Sequence, residues 1–147
     1  MNQRQVEVIV HLDDEPVDKE GEIKILLRDC SGTGGTPAWL RKEYLKQTKP
    51  DLPDECSCTK ETKERCTYCQ AFWKIDDWKL RTDPTIVQFI RDAATGKVKI
   101  FTNATIRDAT DTRDDYWAIV SIPEFHKHFT RIGGKDGNEW LNKDPTL

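Results

Sequence analysis

The sequence predicts an α+β fold: an antiparallel sheet of about five or six strands with two short helices and a zinc-bound insertion held by four cysteines. Three observations carry that expectation. Apolar residues alternate with polar ones in several short runs, a proline-led stretch of helix formers follows the second run, and four of the five cysteines lie between Cys56 and Cys69.

Val6, Val8, Val10 and Leu12 recur at every second position, the period of a strand with one buried face. Ile23, Ile25 and Leu27 repeat the pattern. The charged link from Asp13 to Gly21 contains Pro16, so these two strands are expected to pair as an antiparallel hairpin with a long tip. A flexible Gly-rich connector, residues 31–36, comes next. Thr36 before Pro37 reads as an N-cap with proline at the first helical position, and the helix Pro37 to Gln47 places Leu40 and Tyr44 on one face.

Beyond the cysteines, Gln70 to Leu80 is aromatic-rich and reads as a strand. Thr85 to Asp92 fits a helix capped by Asp83-Pro84, but the turn-like Asp92 to Lys97, with Gly96 suited to a left-handed backbone, favours a hairpin between Ile90 and Val98, Ile100. Thr102 to Asp115 is polar and reads as a loop, Tyr116 to Ser121 as a buried strand. Ser121-Ile122-Pro123-Glu124 resembles a capping box for a helix bearing Phe125 and Phe129, stopped at Gly133, and Trp140 is the last aromatic anchor.

Length and composition predict one domain, 1–147, with the zinc-binding loop 56–69 inserted. The chain is only 36% hydrophobic, yet thirteen aromatic residues (five Trp, three Tyr, five Phe) supply the large burial units a core needs. A net charge of −3 argues against a surface coated in positive potential. No long apolar run marks a membrane span, the polar start lacks the apolar stretch of a signal peptide, and the odd cysteine count fits a metal site plus one thiol rather than a secreted disulfide framework. The expected setting is cytoplasmic.

Cys56-x-Cys58 and Cys66-x-x-Cys69 offer two thiol pairs, a spacing suited to tetrahedral zinc rather than an iron–sulfur cluster, with Lys60, Lys63 and Arg65 between them to offset the negative charge of a tetrathiolate ion. Four thiolates leave no open coordination position, so such an ion holds a loop and does not activate water.

Aromatic and basic residues interleave on the first helix and after the zinc loop. Trp39, Arg41, Lys42, Lys46, Trp73, Lys74 and Trp78 are therefore the candidate surface for nucleic acid or a protein partner. Acidic residues Asp108, Asp111, Asp114 and Asp115, with Asp13 and Asp14, suit docking on the basic surface of a nucleic-acid-processing protein. Together these predict a zinc-stabilised, non-enzymatic binding module, an adaptor or inhibitor. The alternative is a small metal-dependent nuclease or hydrolase using Asp13, Glu22, Lys24 or Cys30, the last with His11, His126 or His128 as base. The Gly-rich connector lacks the Lys-Ser/Thr pair of a Walker loop.

Overall fold

The computed structural model describes residues 3–28, 35–53, 55–59, 61–103, 114–124, 129–135 and 138–143. Its architecture is mixed α+β. The strands are β1 (Gln3–Val10), β2 (Glu22–Arg28), β3 (Ile100–Asn103), β4 (Asp114–Pro123), β5 (Phe129–Lys135) and β6 (Asn138–Lys143); the helices are α1 (Ala38–Thr48), α2 (Thr67–Trp73), α3 (Asp77–Thr82) and α4 (Pro84–Ala94). No helix among the described residues is long and apolar enough to cross a membrane.

Among the described residues the main sheet has four strands, in the order β2-β4-β1-β3, and it is mixed where an antiparallel sheet was expected. β4 runs parallel to β1 and antiparallel to β2, so it separates the two strands whose alternation suggested a hairpin. Alternation identifies a strand but is silent on its neighbour, and in β2 it misses that Leu26, on the face opposite Ile23 and Ile25, is the residue packed into the core beneath the helices. Here the chain between β1 and β2 is drawn to α4: Glu15 takes a two-pronged ion pair from Arg91 at 2.6 and 3.0 Å, and the Lys24 ammonium donates to the Pro16 carbonyl. That leaves the edge of β1 open to β4, whose Trp117 and Ile119 face the core.

Among the described residues the main sheet holds fewer strands than expected because three side chains start helices in quick succession. The Cys66 sulfur accepts the Cys69 N–H, the Asp76 carboxylate accepts from Trp78 and Lys79, and that of Asp83 accepts from Thr85 and Ile86. Each satisfies N–H groups that a helix start otherwise leaves bare. Gln70 to Leu80 is thus divided between α2 and α3 instead of forming a strand, and the expected hairpin at residues 92–97 is the end of α4. Gly96 does adopt a left-handed backbone, φ 81°, but it terminates a helix. Among the described residues, four helices replace the expected two.

The first helix lies nearly where the sequence puts it. Pro37, not Thr36, is its N-cap; the Thr36 hydroxyl is taken up by Asp77 and Arg41, each at 3.1 Å. The expected capping box at Ser121 is also corrected: Ser121, Ile122 and Pro123 extend β4 and pair with Lys24, Ile23 and Glu22. Residues 125–128 of that expected helix lie outside the described residues. Gly133 sits within β5, which pairs with β6 as a second, two-stranded sheet.

Helices α1, α3 and α4 cover one face of the main sheet. Between the layers Val6, Val8, Leu26 and Ile119 meet Leu40, Leu80, Ile86 and Ile90, all at most 6% exposed. At about 25 cal/mol per Å² of apolar surface, each such side chain stabilises the fold by roughly 1.5–3 kcal/mol. Trp39 stands edge-on to Trp117 with ring centres 6.4 Å apart.

Charged side chains are buried as well. Arg28 and Asp115, each fully covered, form a two-pronged pair at 2.8 Å on both bonds. Asp115, expected in an acidic loop suited to docking on a basic partner, is therefore an interior residue at the start of β4. Arg81 of α3 grips Glu139 of β6 at 2.6 and 2.8 Å and also bonds Asp77 and the Leu26 carbonyl. Glu139 further accepts the Arg28 and Gly35 backbone N–H groups, so one carboxylate ties the small sheet, β2 and the end of the Gly-rich connector together.

Candidate metal centre and adjoining basic groove

Cys66 begins α2, Cys69 lies on its first turn, and Cys56 and Cys58 come from the preceding loop. The four sulfurs all lie within 4.8 Å of one another, and they are the one such set of His, Cys, Asp and Glu groups among the described residues. A regular tetrahedron with metal–sulfur bonds of about 2.3 Å has sulfur–sulfur edges of about 3.8 Å. The Cys58–Cys69 and Cys56–Cys66 separations are 3.9 and 3.8 Å, and Cys56–Cys69 is 3.1 Å. The set can therefore hold a metal ion.

Backbone amides already serve the sulfurs as they would in a metal knuckle. Cys58 N–H points to the Cys56 sulfur at 3.3 Å, Cys66 N–H to that of Cys58 at 3.2 Å, and Cys69 N–H to that of Cys66 at 3.4 Å. The amides of Cys69 and Ser57 hold the Cys66 thiol down at about 5, whereas its hydrogen-bonded neighbour Cys56 and burial push Cys69 well above the ordinary thiol range. Four thiolates this close repel one another. A central cation supplies the positive charge that lets all of them ionise together, and that deficit is the chemical evidence that the donor set fits a metal.

The centre is joined to the body of the protein through α2. Tyr68, between two of the cysteines, is buried at 8% exposure and stacks on Phe72. Arg41 of α1 donates to the Phe72 carbonyl at 2.8 Å and lies over the Phe72 ring. Burial pulls the Arg41 guanidinium down from its ordinary value, with Asp77 opposing.

A groove of about 590 Å³ opens on the other side of Tyr68. α1, the turn after it, Phe89 of α4 and the approach to β3 form its walls. Lys42, Lys46, Lys49 and Lys99 line it against a single acid, Glu43. Of the side chains expected on a binding surface, Lys42 and the exposed Lys46 are here, and Trp39 reaches the wall from the core at 6% exposure. Arg41, Trp73, Lys74 and Trp78 do not line it. Trp73 is 62% exposed at the end of α2 with the Arg65 guanidinium over its ring, Lys74 is exposed, and Trp78 is half-buried on α3. Lys49, the last residue of the basic run Ala38 to Lys49, lines it as well. Lys99 and Phe101 escape the sequence reading of this surface, since they are far from α1 in the chain and meet it only once α4 folds as a helix.

Of the alternative chemistry, the described residues bring Glu22 and Lys24 to one cavity but do not bring Asp13 to it. Lys24 is engaged with Pro16 and lies 3.6 Å from Asp18; it shares a smaller cavity of about 290 Å³ with Glu22 and Arg91, and Asp13 is not among the residues lining it. His11 is exposed at the end of β1. Cys30, His126, His128, Lys60, Asp108, Asp111 and residues 31–34 of the connector lie outside the described residues. Comparison with known proteins finds no matching family model, no matching curated protein and no matching solved structure.

Proposed function

We propose that this chain is a zinc-stapled, non-enzymatic module that binds nucleic acid, alone or as an adaptor or inhibitor within a nucleic-acid-processing complex. The observation that carries the reading is the groove itself: four lysines face one acid in a cleft whose wall includes Tyr68, from the helix that the cysteine cluster starts. On a chain of net charge −3 that concentration of positive charge is local, which suits recognition of a polyanion better than general adhesion. Zinc is the ion best matched to four thiolates in a tetrahedron, and with four sulfur ligands it takes a holding role rather than a reactive one.

The experiment is a salt titration of the zinc-loaded protein against labelled oligonucleotides. The reading predicts an affinity that falls linearly with salt on a log–log plot. No binding at low salt would defeat it.

A further inference from the structure

Phe101 is the second unusual feature of the groove. It lies on β3, an edge strand of the main sheet, and is 54% exposed, while its neighbours Ile100 and Thr102 turn inward at 8%. A large apolar ring left in water beside four lysines has the composition of a base-stacking site: cations for phosphates and a flat face for a base. Tyr68 lines the same groove, and its buried hydroxyl has no hydrogen-bond partner among the described residues. A groove of about 590 Å³ matches the few hundred cubic ångströms of sites that enclose small ligands. A duplex, with its bases stacked inside, would touch only the lysines along the rim.

We propose that this groove takes unpaired nucleic acid, with Lys42, Lys46, Lys49 and Lys99 on successive phosphates and a base stacked on Phe101. The proposal rests on the nucleic-acid-binding reading above and narrows its ligand to single strands.

The test uses the full zinc-loaded chain and fluorescence anisotropy with a labelled oligothymidylate of about ten nucleotides, beside a duplex of equal length. The single strand is expected to bind about ten-fold more tightly. At about 0.7 per phosphate neutralised, four lysines give a log–log salt slope near −3. Phe101→Ala, at an exposed position, should weaken single-strand binding about ten-fold and leave the slope unchanged, whereas Lys46→Ala with Lys99→Ala should make the slope shallower. Equal affinity for the two probes, or an unaffected Phe101→Ala variant, overturns the single-strand proposal while the broader reading stands. Displacement of the oligonucleotide by polyglutamate at matched charge also overturns it, in favour of an acidic polypeptide. If neither probe binds, both readings fall together.

Discussion

Arg81 and Glu139, fifty-eight residues apart in the chain, meet through two parallel hydrogen bonds of 2.6 and 2.8 Å with both side chains almost wholly covered. Burial alone would lower the Arg81 pKa, yet the Glu139 hydrogen bonds and the charge of Asp77 raise it above its usual value. The guanidinium is thus held charged inside the protein. Two planar groups matched fork to fork suit such a site, because each desolvated charge keeps directed partners.

Glu139→Ala should therefore destabilise the chain by about 3–5 kcal/mol, the usual cost of leaving a buried charge without its partner. It also removes the carboxylate that accepts from the Arg28 and Gly35 amides. Urea unfolding measures the loss, and hydrogen exchange should show β5 and β6 losing protection first. A loss under about 1 kcal/mol would mean that the pair is no latch.

Arg28 and Asp115 make the same argument within the main sheet. Asp115→Ala should cost a similar amount, about 3–5 kcal/mol, because Arg28 stays buried over Trp117. The double replacement Arg28→Met with Asp115→Leu should recover most of it, since neither charge is then stranded. A double-mutant cycle separates the pair from its surroundings.

Asp83 caps α4, the helix that carries Ile86, Val87 and Ile90 into the core. Asp83→Ala should lower stability by about 1 kcal/mol, and Asp83→Asn should keep most of it because the amide oxygen still accepts from Thr85 and Ile86. The comparison is made by denaturant midpoints at constant slope.

Removing the metal should loosen α2 before anything else. Where ligand binding and folding are one equilibrium, chelation raises hydrogen exchange from Cys56 to Trp73 while the sheet around Ile119 and Leu26 stays protected. Tyr68 then no longer holds its side of the groove, so oligonucleotide affinity should fall with the metal. Unchanged exchange in α2 after complete metal removal would show that the ion is not structural.

Part of this structure is legible in the sequence. Val6 and Val8, Ile25, and Trp117 with Ile119 mark strands because a half-buried strand must alternate, and Pro37 marks the start of α1 because its ring suits a helix entrance and its missing N–H costs nothing there. The cysteine spacing is equally direct, since thiols two and three residues apart can share one ion. Partnership between strands is another matter. Nothing in β1 or β2 announces that β4 inserts between them, because that depends on where the intervening helices return the chain.

Helices α2 and α3 escape a reading by periodicity for a related reason, whereas α4, with its Asp83-Pro84 cap and Ile86, Val87 and Ile90 at helical spacing, is legible but outweighed by the turn signal of Asp92 to Lys97. Aromatic runs such as Phe72 and Trp73 suit either element, and the deciding signals are single capping side chains, Cys66, Asp76 and Asp83. The buried ions are the hardest to foresee. Arg28, Arg81, Asp115 and Glu139 look like any surface charge in sequence, and only the folded topology makes them neighbours. The groove is half visible: Lys42 and Lys46 follow from the basic pattern of α1, but Lys99 and Phe101 join them through tertiary structure alone.

X-ray absorption at the zinc edge of the purified chain tests the central claim most directly. One ion per molecule surrounded by four sulfur atoms at about 2.3 Å is the predicted result. Protein without stoichiometric metal, or an ion whose shell contains nitrogen or oxygen in place of sulfur, would contradict it.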